Sequence, residues 1–320
     1  EYCIESMKAA GVTEIAIIIG GIGSNKVREY YGNGKKFNVE ITYVKQDEPL
    51  GISHAINLCR SFIGDNKFLV FLGDNIIQKN IGEFANKFLK SNDDASILLC
   101  EVDNPSRFGI ADMHEGKITK IMEKPKNPPT NFAVTGIYFL TPKIFDIIDN
   151  LKPSWRNELE ITDALQILLS QNNNISYHII TDYWKDTGTP EDIINANREI
   201  LEHKTSYFYG EKSDFVSLTG IVLIGKGTKI LGNSQIIGPA IVGENCILDN
   251  VCIGPNSSIG NNSQITNSNI QNSIVMSNCI INTPIKIRNS IISSNSEIAF
   301  KNDSHDEKIF LLGEGTKILL

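Results

Sequence analysis

The feature that most constrains the fold is a six-residue repeat of single aliphatic residues in the last third of the chain. Two series have this spacing: Ile224, Ile230, Ile236, Val242 and Leu248, and Ile241, Ile247, Ile253, Ile259 and Ile265. Gly, Asn and Ser fill the positions between them, and Gly and Asn accept turn conformations with positive φ. One inward aliphatic residue in six predicts a parallel β-helix, whose coils have short strands joined by turns. An irregular loop rich in Ile and Asn would not be expected to keep two unbroken runs of five.

A different pattern precedes this repeat, because strand-like runs alternate with helical patterns over about the first 200 residues. We predict strands at 15–19, 39–46, 68–72, 96–102, 108–113, 117–122, 133–140 and 175–180. We predict helices at 1–10, 24–31, 51–62, 81–91, 142–150, 160–171 and 190–203. Such alternation indicates a Rossmann-like α/β domain with a mixed, mostly parallel sheet. The predicted domains are residues 1–205 and, with the β-helix and a C-terminal tail, residues 215–320.

Composition excludes several classes of function. The chain has 320 residues, of which 41% are hydrophobic, enough for a sizeable core in each of about two domains. A net charge of −7 without a basic stripe argues against nucleic-acid binding. No apolar run approaches the ~18 residues of a membrane span. The six cysteines are scattered without a CxxC motif, which disfavours a zinc site and indicates reduced thiols in a cytoplasmic protein.

Two carboxylates lie at the ends of predicted strands or in the turns beside them. Asp74 follows the apolar run FLVFLG, and Asp186 lies just before the helix at 190–203. In open α/β sheets, ligands bind at the carboxyl ends of the strands. Two carboxylates meeting there would suit Mg²⁺, which takes one or two carboxylates together with water and phosphate oxygens. From the spacing alone, two ordinary turn residues are the better explanation.

Other short motifs could carry chemistry, although each also has an ordinary explanation as a turn or cap. QDEPLGISHA contains Gln46 and Gly51, and Gly51 comes directly before a helix. Glu123 and Lys124 end another strand, where Lys124 could meet a phosphate and Glu123 could accept hydrogen bonds from sugar hydroxyls. The motifs RFG and VTGIYF each offer a glycine at which a ligand could approach the backbone.

In order along the chain, LGDN, RFG, EKP, VTGIYF, ELEITDA and WKDTGTPED resemble the sugar-1-phosphate nucleotidylyltransferases. The chain most closely resembles the long-form glucose-1-phosphate thymidylyltransferases, which carry a left-handed β-helix after the catalytic domain. The resemblance implies that Asp74 and Asp186 bind Mg²⁺ and that Gln46 and Gly51 contact the nucleotide base. It also implies a sugar-phosphate pocket lined by four residues, with Tyr138 nearby: Gly109, Glu123, Lys124 and Gly136. Asp74, Lys124 and Asp186 are the expected catalytic residues.

The implied reaction transfers a nucleotidyl group from dTTP to glucose-1-phosphate, giving dTDP-glucose and pyrophosphate. A sugar-phosphate oxygen attacks the α-phosphorus, while Mg²⁺ and Lys124 offset the negative charge. A UTP-dependent uridylyltransferase and a non-catalytic regulatory or assembly subunit remain as alternatives. A second, acetyltransferase activity is disfavoured, because residues 215–300 contain no histidine. We expect the β-helix to assemble a homo-oligomer.

The resemblance also bears on the start of the chain. The family's Gly-rich phosphate loop precedes the helix predicted at 1–10, so we expect this chain to be an N-terminally truncated form. GGIGSNK at 20–26 is interpreted as the turn after a strand and not as a substitute phosphate loop.

Overall fold

The computed structural model describes residues 2–299. The chain divides into two compact units, Glu1–Gly188 and Thr189–Leu320. The sequence FLLGEGTKILL at 310–320 predicts a closing pair of strands, but it lies outside the described residues.

The first unit alternates helices and strands much as the sequence predicts. Its helices are α1 (Tyr2–Ala9), α2 (Ser24–Tyr31), α3 (Ile52–Leu58), α4 (Arg60–Ile63), α5 (Gly82–Lys90), α6 (Lys143–Ile148) and α7 (Ile161–Ser170). Its strands are β1 (Glu14–Ile19), β2 (Glu40–Lys45), β3 (Phe68–Phe71), β4 (Asn75–Ile77), β5 (Ala95–Glu101), β6 (Gly109–His114), β7 (Lys117–Glu123), β8 (Phe132–Leu140), β9 (Ile175–Ile180) and β10 (Trp184–Asp186). Short 3₁₀ turns lie at Lys35–Phe37 and Pro105–Arg107. The short strands β4 and β10 have no counterpart in the sequence prediction.

The main sheet is mixed, as predicted, and β8 is its central strand. Along one edge β8 pairs with β5, and along the other it pairs with β3 and β6, always antiparallel. The parallel partner of β5 is β9, and β7 pairs antiparallel with β6. Strands β3, β5, β6 and β9 therefore run in one direction, whereas β7 and β8 run in the other. Most strands share a direction, but most hydrogen-bonded pairs are antiparallel because β8 lies between them.

Both faces of this sheet are buried. Tyr138 and Leu140 pack in one hydrophobic cluster with α6 and α7. Ile137 and Phe139, their neighbours in β8, pack in another with α5. Successive strand residues face opposite sides, so a strand covered on both sides reads as a continuous apolar run. The parallel pair β1–β2 has its own small core with α1.

The second unit begins with α8 (Pro190–Glu202) and continues as a parallel β-solenoid. The Thr189 side chain caps the helix by accepting a hydrogen bond from the Asp192 amide at 3.2 Å. The strands of the solenoid are β11 (Tyr207–Phe208), β12 (Glu211–Lys212), β13 (Ser217–Thr219), β14 (Val222–Ile224), β15 (Lys229–Leu231), β16 (Gln235–Ile237), β17 (Ala240–Val242), β18 (Ile247–Asp249), β19 (Cys252–Ile253), β20 (Ser257–Ile259), β21 (Gln264–Thr266), β22 (Asn269–Gln271), β23 (Ile274–Val275), β24 (Ile280–Asn282), β25 (Lys286–Arg288), β26 (Ile291–Ile292) and β27 (Glu297–Ala299). Every third strand pairs in parallel, which gives three sheets around one core.

The first predicted series of aliphatic residues, from Ile224 to Leu248, is buried throughout. The second series is wrong at its first two members, because Ile241 is only half-buried and Ile247 is 38% exposed. Each is the strand neighbour of an inward residue and therefore faces outward. After Leu248 the inward residue of the next strand, β19, comes after five residues and not six. It is Ile253, so from there the buried positions coincide with the second series. In the sequence the repeat becomes irregular after residue 282, but the coils continue to β27.

Asparagine residues form the corners of the solenoid. Nine asparagines in the described coils, up to residue 299, have positive φ: Asn245, Asn250, Asn256, Asn262, Asn267, Asn272, Asn278, Asn289 and Asn295. Some also hydrogen-bond between coils, because the Asn262 side-chain amide donates to Asn278 and that of Asn278 donates to Asn295, both at 3.2 Å. The corner chemistry predicted from the sequence is confirmed.

None of the helices in residues 2–299 combines the length and the apolar character that crossing a membrane requires. All six cysteines are unpaired.

Candidate active site

The candidate site begins where the loop after β3 enters a gap beside the central strand. On one edge of β8, β3 pairs with residues 137–140 and β6 pairs with Ala133, which leaves Gly136 between them. The loop fills this gap: the Leu72 amide donates to the Gly136 carbonyl at 2.8 Å. The Gly136 amide in turn donates to Asn75 Oδ1 at 3.0 Å. The segment containing Asp74 is therefore held against the most buried strand of the domain.

Asn75 connects three parts of the site and is only 3% exposed. Its Nδ2 donates to Asp74 Oδ1 at 2.8 Å, and its Oδ1 accepts from Trp184 Nε1 at 2.8 Å as well as from Gly136. A Cβ added at Gly136 would lie 2.5 Å from Asn75 Nδ2. The glycine is therefore required by the close approach of this side chain, a role that the motif VTGIYF did not reveal.

The two predicted metal ligands lie on paired strands. Strands β4 and β10 are antiparallel, with Asp186 opposite Asn75. The Thr187 amide and hydroxyl both donate to the Asp74 carbonyl, at 2.9 and 2.7 Å. Asp186 therefore ends a short strand, and the two aspartates line the same cavity. This pairing connects positions 112 residues apart, so no local pattern in the sequence could predict it.

Each aspartate keeps one carboxylate oxygen for a ligand. Asp186 Oδ1 accepts from the Gly188 amide at 2.7 Å, and Asp74 Oδ1 accepts from Asn75. No hydrogen bond within residues 2–299 uses the second oxygen of either side chain. That part of the chain contains no group of three or more His, Cys, Asp or Glu residues suited to a metal. Two carboxylates beside a cavity fit a hard cation that completes its shell with water and substrate oxygens.

The same cavity is lined by the other residues assigned to the sugar-phosphate pocket: Gly109, Glu123, Lys124, Gly136 and Tyr138. Glu123 ends β7, and its Oε2 accepts a hydrogen bond from the Thr162 hydroxyl at 2.9 Å. A Cβ at Gly109 would lie 2.5 Å from the Thr162 side chain, so Gly109 allows α7 to approach. Lys124 has a φ of 40°, a conformation that is uncommon for a residue with a side chain.

Arg156 organises the acidic side of the cavity. Its guanidinium lies 2.9 Å from Glu158, 3.5 Å from Glu160 and 3.6 Å from Glu123. Burial raises the pKa of the Glu123 carboxyl, as does the nearby Glu160 charge, while the Thr162 hydroxyl, Lys124 and Arg156 lower it. Arg107, Lys124 and Arg156 line the cavity beside five carboxylates, so the cavity offers cationic side chains to an anion although its lining is acidic overall.

Tyr138 lies deep in the wall of this cavity. Complete burial raises the pKa of its phenol strongly, with smaller contributions from the charges of Glu123 and Asp74. The phenol therefore stays protonated and can shape the pocket, but it cannot act as a base near neutral pH.

Gln46 and Gly51 are not among the residues that line this cavity, although Ile52, which follows Gly51, is. Gln46 Nε2 lies 2.9 Å from His54 Nδ1 and 3.4 Å from the Gly51 carbonyl. Gly51 has a φ of 99°, and an added Cβ would lie 2.7 Å from backbone atoms of Leu159. The two residues predicted to contact the base therefore lie together, in a cluster of their own.

Sequence reasoning missed Asn75 and Arg156 as parts of the site. Asn75 stands beside Asp74, but only the fold brings Gly136 and Trp184 to its side chain. The signal for Arg156 was its position two residues before ELEITDA, whose acids it contacts.

Comparisons with known proteins identify the family of the chain. Residues 1–203 match the family model described as Nucleotidyl transferase. The low-salt glycan biosynthesis nucleotidyltransferase Agl11 of Haloferax volcanii is 44% identical over 221 residues, which cover 69% of this chain and 62% of that protein. A glucose-1-phosphate thymidylyltransferase of Streptomyces antibioticus is 38% identical over 76% of this chain and 68% of its own length.

A crystal structure from Bacillus anthracis, described as a proposed glucose-1-phosphate thymidylyltransferase in complex with sucrose, superposes with a TM-score of 0.60. It is 37% identical, and the match covers 65% of this chain and 83% of that chain. The family match extends over well over half of the residues, and it includes every residue of the cavity. This chain belongs to the Nucleotidyl transferase family.

Proposed function

We propose that the protein transfers a thymidylyl group from dTTP to glucose-1-phosphate in a Mg²⁺-dependent reaction, releasing pyrophosphate. The observation that carries this proposal is the antiparallel pairing of β4 and β10, which brings Asp74 and Asp186 to one cavity. The cavity also contains cationic side chains suited to phosphates. The names of two relatives support the choice of substrates.

In this proposal Asp74 and Asp186 bind Mg²⁺ through the carboxylate oxygens that remain available. The ion would neutralise phosphate charge on the nucleotide and the sugar phosphate. Lys124 is assigned to the sugar phosphate, where its charge reduces the repulsion between two anionic substrates. The attacking phosphate oxygen is already ionised, so the reaction needs neither a general base nor a covalent intermediate.

The remaining predicted residues are assigned to substrate binding. Glu123, Gly109, Gly136 and Tyr138 would surround the sugar, with the Glu123 carboxylate accepting from its hydroxyls. Gln46 and Gly51 would contact the base from their adjoining cluster.

UTP is the second candidate for the nucleotide. A UTP–glucose-1-phosphate uridylyltransferase of Haloferax volcanii is 32% identical over 64% of this chain and 84% of its own length. Thymine and uracil differ by one methyl group, which a pocket distinguishes by only ~10–200-fold. A non-catalytic subunit is disfavoured, since such a protein would not need both aspartates.

The test is pyrophosphate release by the protein that carries this chain, with glucose-1-phosphate, Mg²⁺ and each of dTTP, UTP, ATP, CTP and GTP. We expect the highest kcat/KM with dTTP. The Asp74→Asn variant should lose activity by roughly 10²-fold or more, because one metal ligand is weakened. Asp65→Asn, at an exposed position in a turn, is the matched control and should keep full activity.

Highest activity with UTP would replace the thymidylyl assignment by uridylyl transfer. A folded protein that releases no pyrophosphate with any nucleotide or sugar phosphate would refute the catalytic proposal. Equal losses of activity in Asp74→Asn and in the control Asp65→Asn would refute the assignment of Asp74 as a metal ligand.

Assembly through the solenoid and a cytoplasmic location are part of the same proposal. Solenoids expose edges that other subunits can cover, and unpaired cysteines are typical of a reducing compartment. Light scattering coupled to gel filtration tests the first expectation, and a monomeric mass would contradict it.

A further inference from the structure

One face of the solenoid carries two straight columns of outward side chains. This face is the sheet of β15, β18, β21, β24 and β27, whose strands pair in parallel and in register. The middle residue of each strand points into the core, so the residues on either side of it point outward. The first column contains Lys229, Ile247, Gln264, Ile280 and Glu297. The second contains Leu231, Asp249, Thr266, Asn282 and Ala299.

Large aliphatic side chains on this face are in contact with solvent. Leu231, Ile247 and Ile280 are 40%, 38% and 42% exposed. Lys229, near one end of the first column, lies 4.0 Å from Glu211, which is the outer limit of an ion pair. The face therefore offers both apolar surface and charge to a partner.

The first column is complementary to itself when its order is reversed about β21. Reversal places Lys229 opposite Glu297, which is a pair of opposite charges. It places Ile247 opposite Ile280, which is a pair of aliphatic side chains, and Gln264 opposite itself. Two copies of this column can therefore face each other without a mismatch.

The second column has the same property. Reversal places Leu231 opposite Ala299, Thr266 opposite itself, and Asp249 opposite Asn282. Asn282 Oδ1 already accepts a hydrogen bond from the Thr266 hydroxyl at 2.6 Å, so its Nδ2 is the group that can donate to a carboxylate. The two columns thus agree on one arrangement.

The other two faces lack this complementarity. The sheet from β13 to β25 carries Lys286 and Arg288 at one end and Ser217 and Thr219 at the other. Reversal of that sheet finds no acid for the two cations. On the third face, α8 lies against β20 and hydrogen-bonds to it, so part of that face is already covered.

We propose that the face of β15, β18, β21, β24 and β27 binds the same face of a second copy of this chain, antiparallel, about a two-fold axis along β21. This inference rests on the proposed assembly through the solenoid. Rotation about that axis reverses the order of the coils and keeps each column opposite itself. A parallel pair would instead place the first column opposite the second, with Ile247 against Asp249 and Lys229 against Leu231.

The size of the face limits the affinity. Five strands at ~4.8 Å and three residues of each strand give a face of about 20 by 10 Å, well below the ~800 Å² per partner of a standard interface. We expect mostly dimer at roughly 100 μM chain and mostly monomer below ~1 μM. Unfolding measured below that concentration then reports the single chain.

Exchange of charges tests the proposal, with sedimentation equilibrium over a concentration series as the readout. Lys229→Glu alone creates two Glu–Glu contacts across the axis, and Glu297→Lys alone creates two Lys–Lys contacts. Each should weaken association by roughly tenfold or more. An equimolar mixture of the two variants should associate as wild type does, because every contact is again between Lys and Glu. The double variant should do the same.

Two further variants test the apolar contacts. Ile280→Asp should weaken association by roughly tenfold or more, because it buries a carboxylate against Ile247 of the second copy. Ile237→Asp is the matched control, since Ile237 is 37% exposed but lies on another face, in β16. It should leave association unchanged.

The outcomes separate this inference from the proposed function. Single variants that associate as wild type does, or a mixture that fails to recover, would overturn the antiparallel pairing, while an oligomer held by another surface would still satisfy the proposed assembly. A wild-type protein that is monomeric at every concentration would contradict both. Neither result bears on nucleotidyl transfer, which pyrophosphate release tests separately.

Discussion

Gly136→Ala should destabilise the first unit and weaken activity through Asn75. The added Cβ would lie 2.5, 2.7 and 2.8 Å from Nδ2, Cγ and Oδ1 of Asn75, distances that force the side chain to move. Asn75 is buried and accepts from two donors, the Gly136 amide and the Trp184 indole. It also donates to Asp74, so its displacement affects packing, hydrogen bonding and a proposed metal ligand together.

The magnitude follows from those contacts. Each buried donor left without an acceptor costs ~1–3 kcal/mol, so two donors give about 2–6 kcal/mol. Partial relaxation of Asn75 reduces this, and we expect the free energy of unfolding to fall by about 3 kcal/mol. Activity should fall by roughly 10–100-fold, because Asp74 loses the donor that orients it.

Tryptophan fluorescence offers a direct assay, since the chain has two tryptophans. Trp184 is 8% exposed and donates to Asn75, whereas Trp155 is 82% exposed. In a Trp155→Phe background the signal reports Trp184 alone, and Gly136→Ala should shift its emission to the red and lower the urea midpoint. Gly73→Ala is the control, because nothing lies within 4 Å of its added Cβ. An unchanged midpoint and emission in Gly136→Ala would refute the reasoning.

Three further predictions concern the solenoid, the pocket and the loop. Leu248→Ala should lower the free energy of unfolding by about 3 kcal/mol, whereas Ile247→Ala should lower it by less than ~0.5 kcal/mol, because only the Leu248 side chain is buried. Denaturant unfolding measures both values. Equal losses would contradict the inward orientation of Leu248 and the outward orientation of Ile247. Burial raises the pKa of Glu123 in the folded protein above its unfolded value of 4.5. Between these two pKa values the folded state binds the proton more tightly than the unfolded state, so this carboxyl makes stability fall as pH rises. Glu123→Gln should flatten that slope in urea titrations between pH 4.5 and 7, and an unaltered slope would show that another group causes it. Asn75→Asp keeps both acceptor contacts but places a second carboxylate oxygen where Nδ2 now lies 2.8 Å from Asp74 Oδ1, so repulsion between the two acids should lower kcat/KM by roughly tenfold or more. An unchanged kcat/KM in this variant would argue against orientation of Asp74 by Asn75.

Most of the fold could be predicted from local patterns. The hairpin of β6 and β7 is a clear example, because strands are predicted at 108–113 and 117–122 and the two residues between them in the hairpin, Glu115 and Gly116, both have positive φ. The apolar runs of β5 and β8 likewise predicted strands, and the structure buries both strands on both faces. Such features depend on residues close together in the chain.

The errors and omissions arose where distant residues decide the outcome. A fixed six-residue spacing could not show that the inward column shifts after Leu248, so Ile241 and Ile247 were assigned to the wrong side. Strands β4 and β10 are each three residues long and are defined by pairing with each other. In the site, motif order placed Asp74 and Asp186 together, but the contacts of Asn75 and Arg156 depend on packing that no spacing describes.

The strands of the solenoid stay in register from coil to coil although the coils differ in length. On the sheet that contains β14, the paired residues Leu223, Ile241, Ser258, Ile274 and Ile291 follow one another at intervals of 18, 17, 16 and 17 residues. The strands stay aligned, so the corners absorb each difference. The fold should therefore tolerate single-residue deletions or insertions at a corner. The same change within a strand would exchange its buried and exposed side chains. Among homologous sequences, differences in coil length should therefore occur mainly at the asparagine corners.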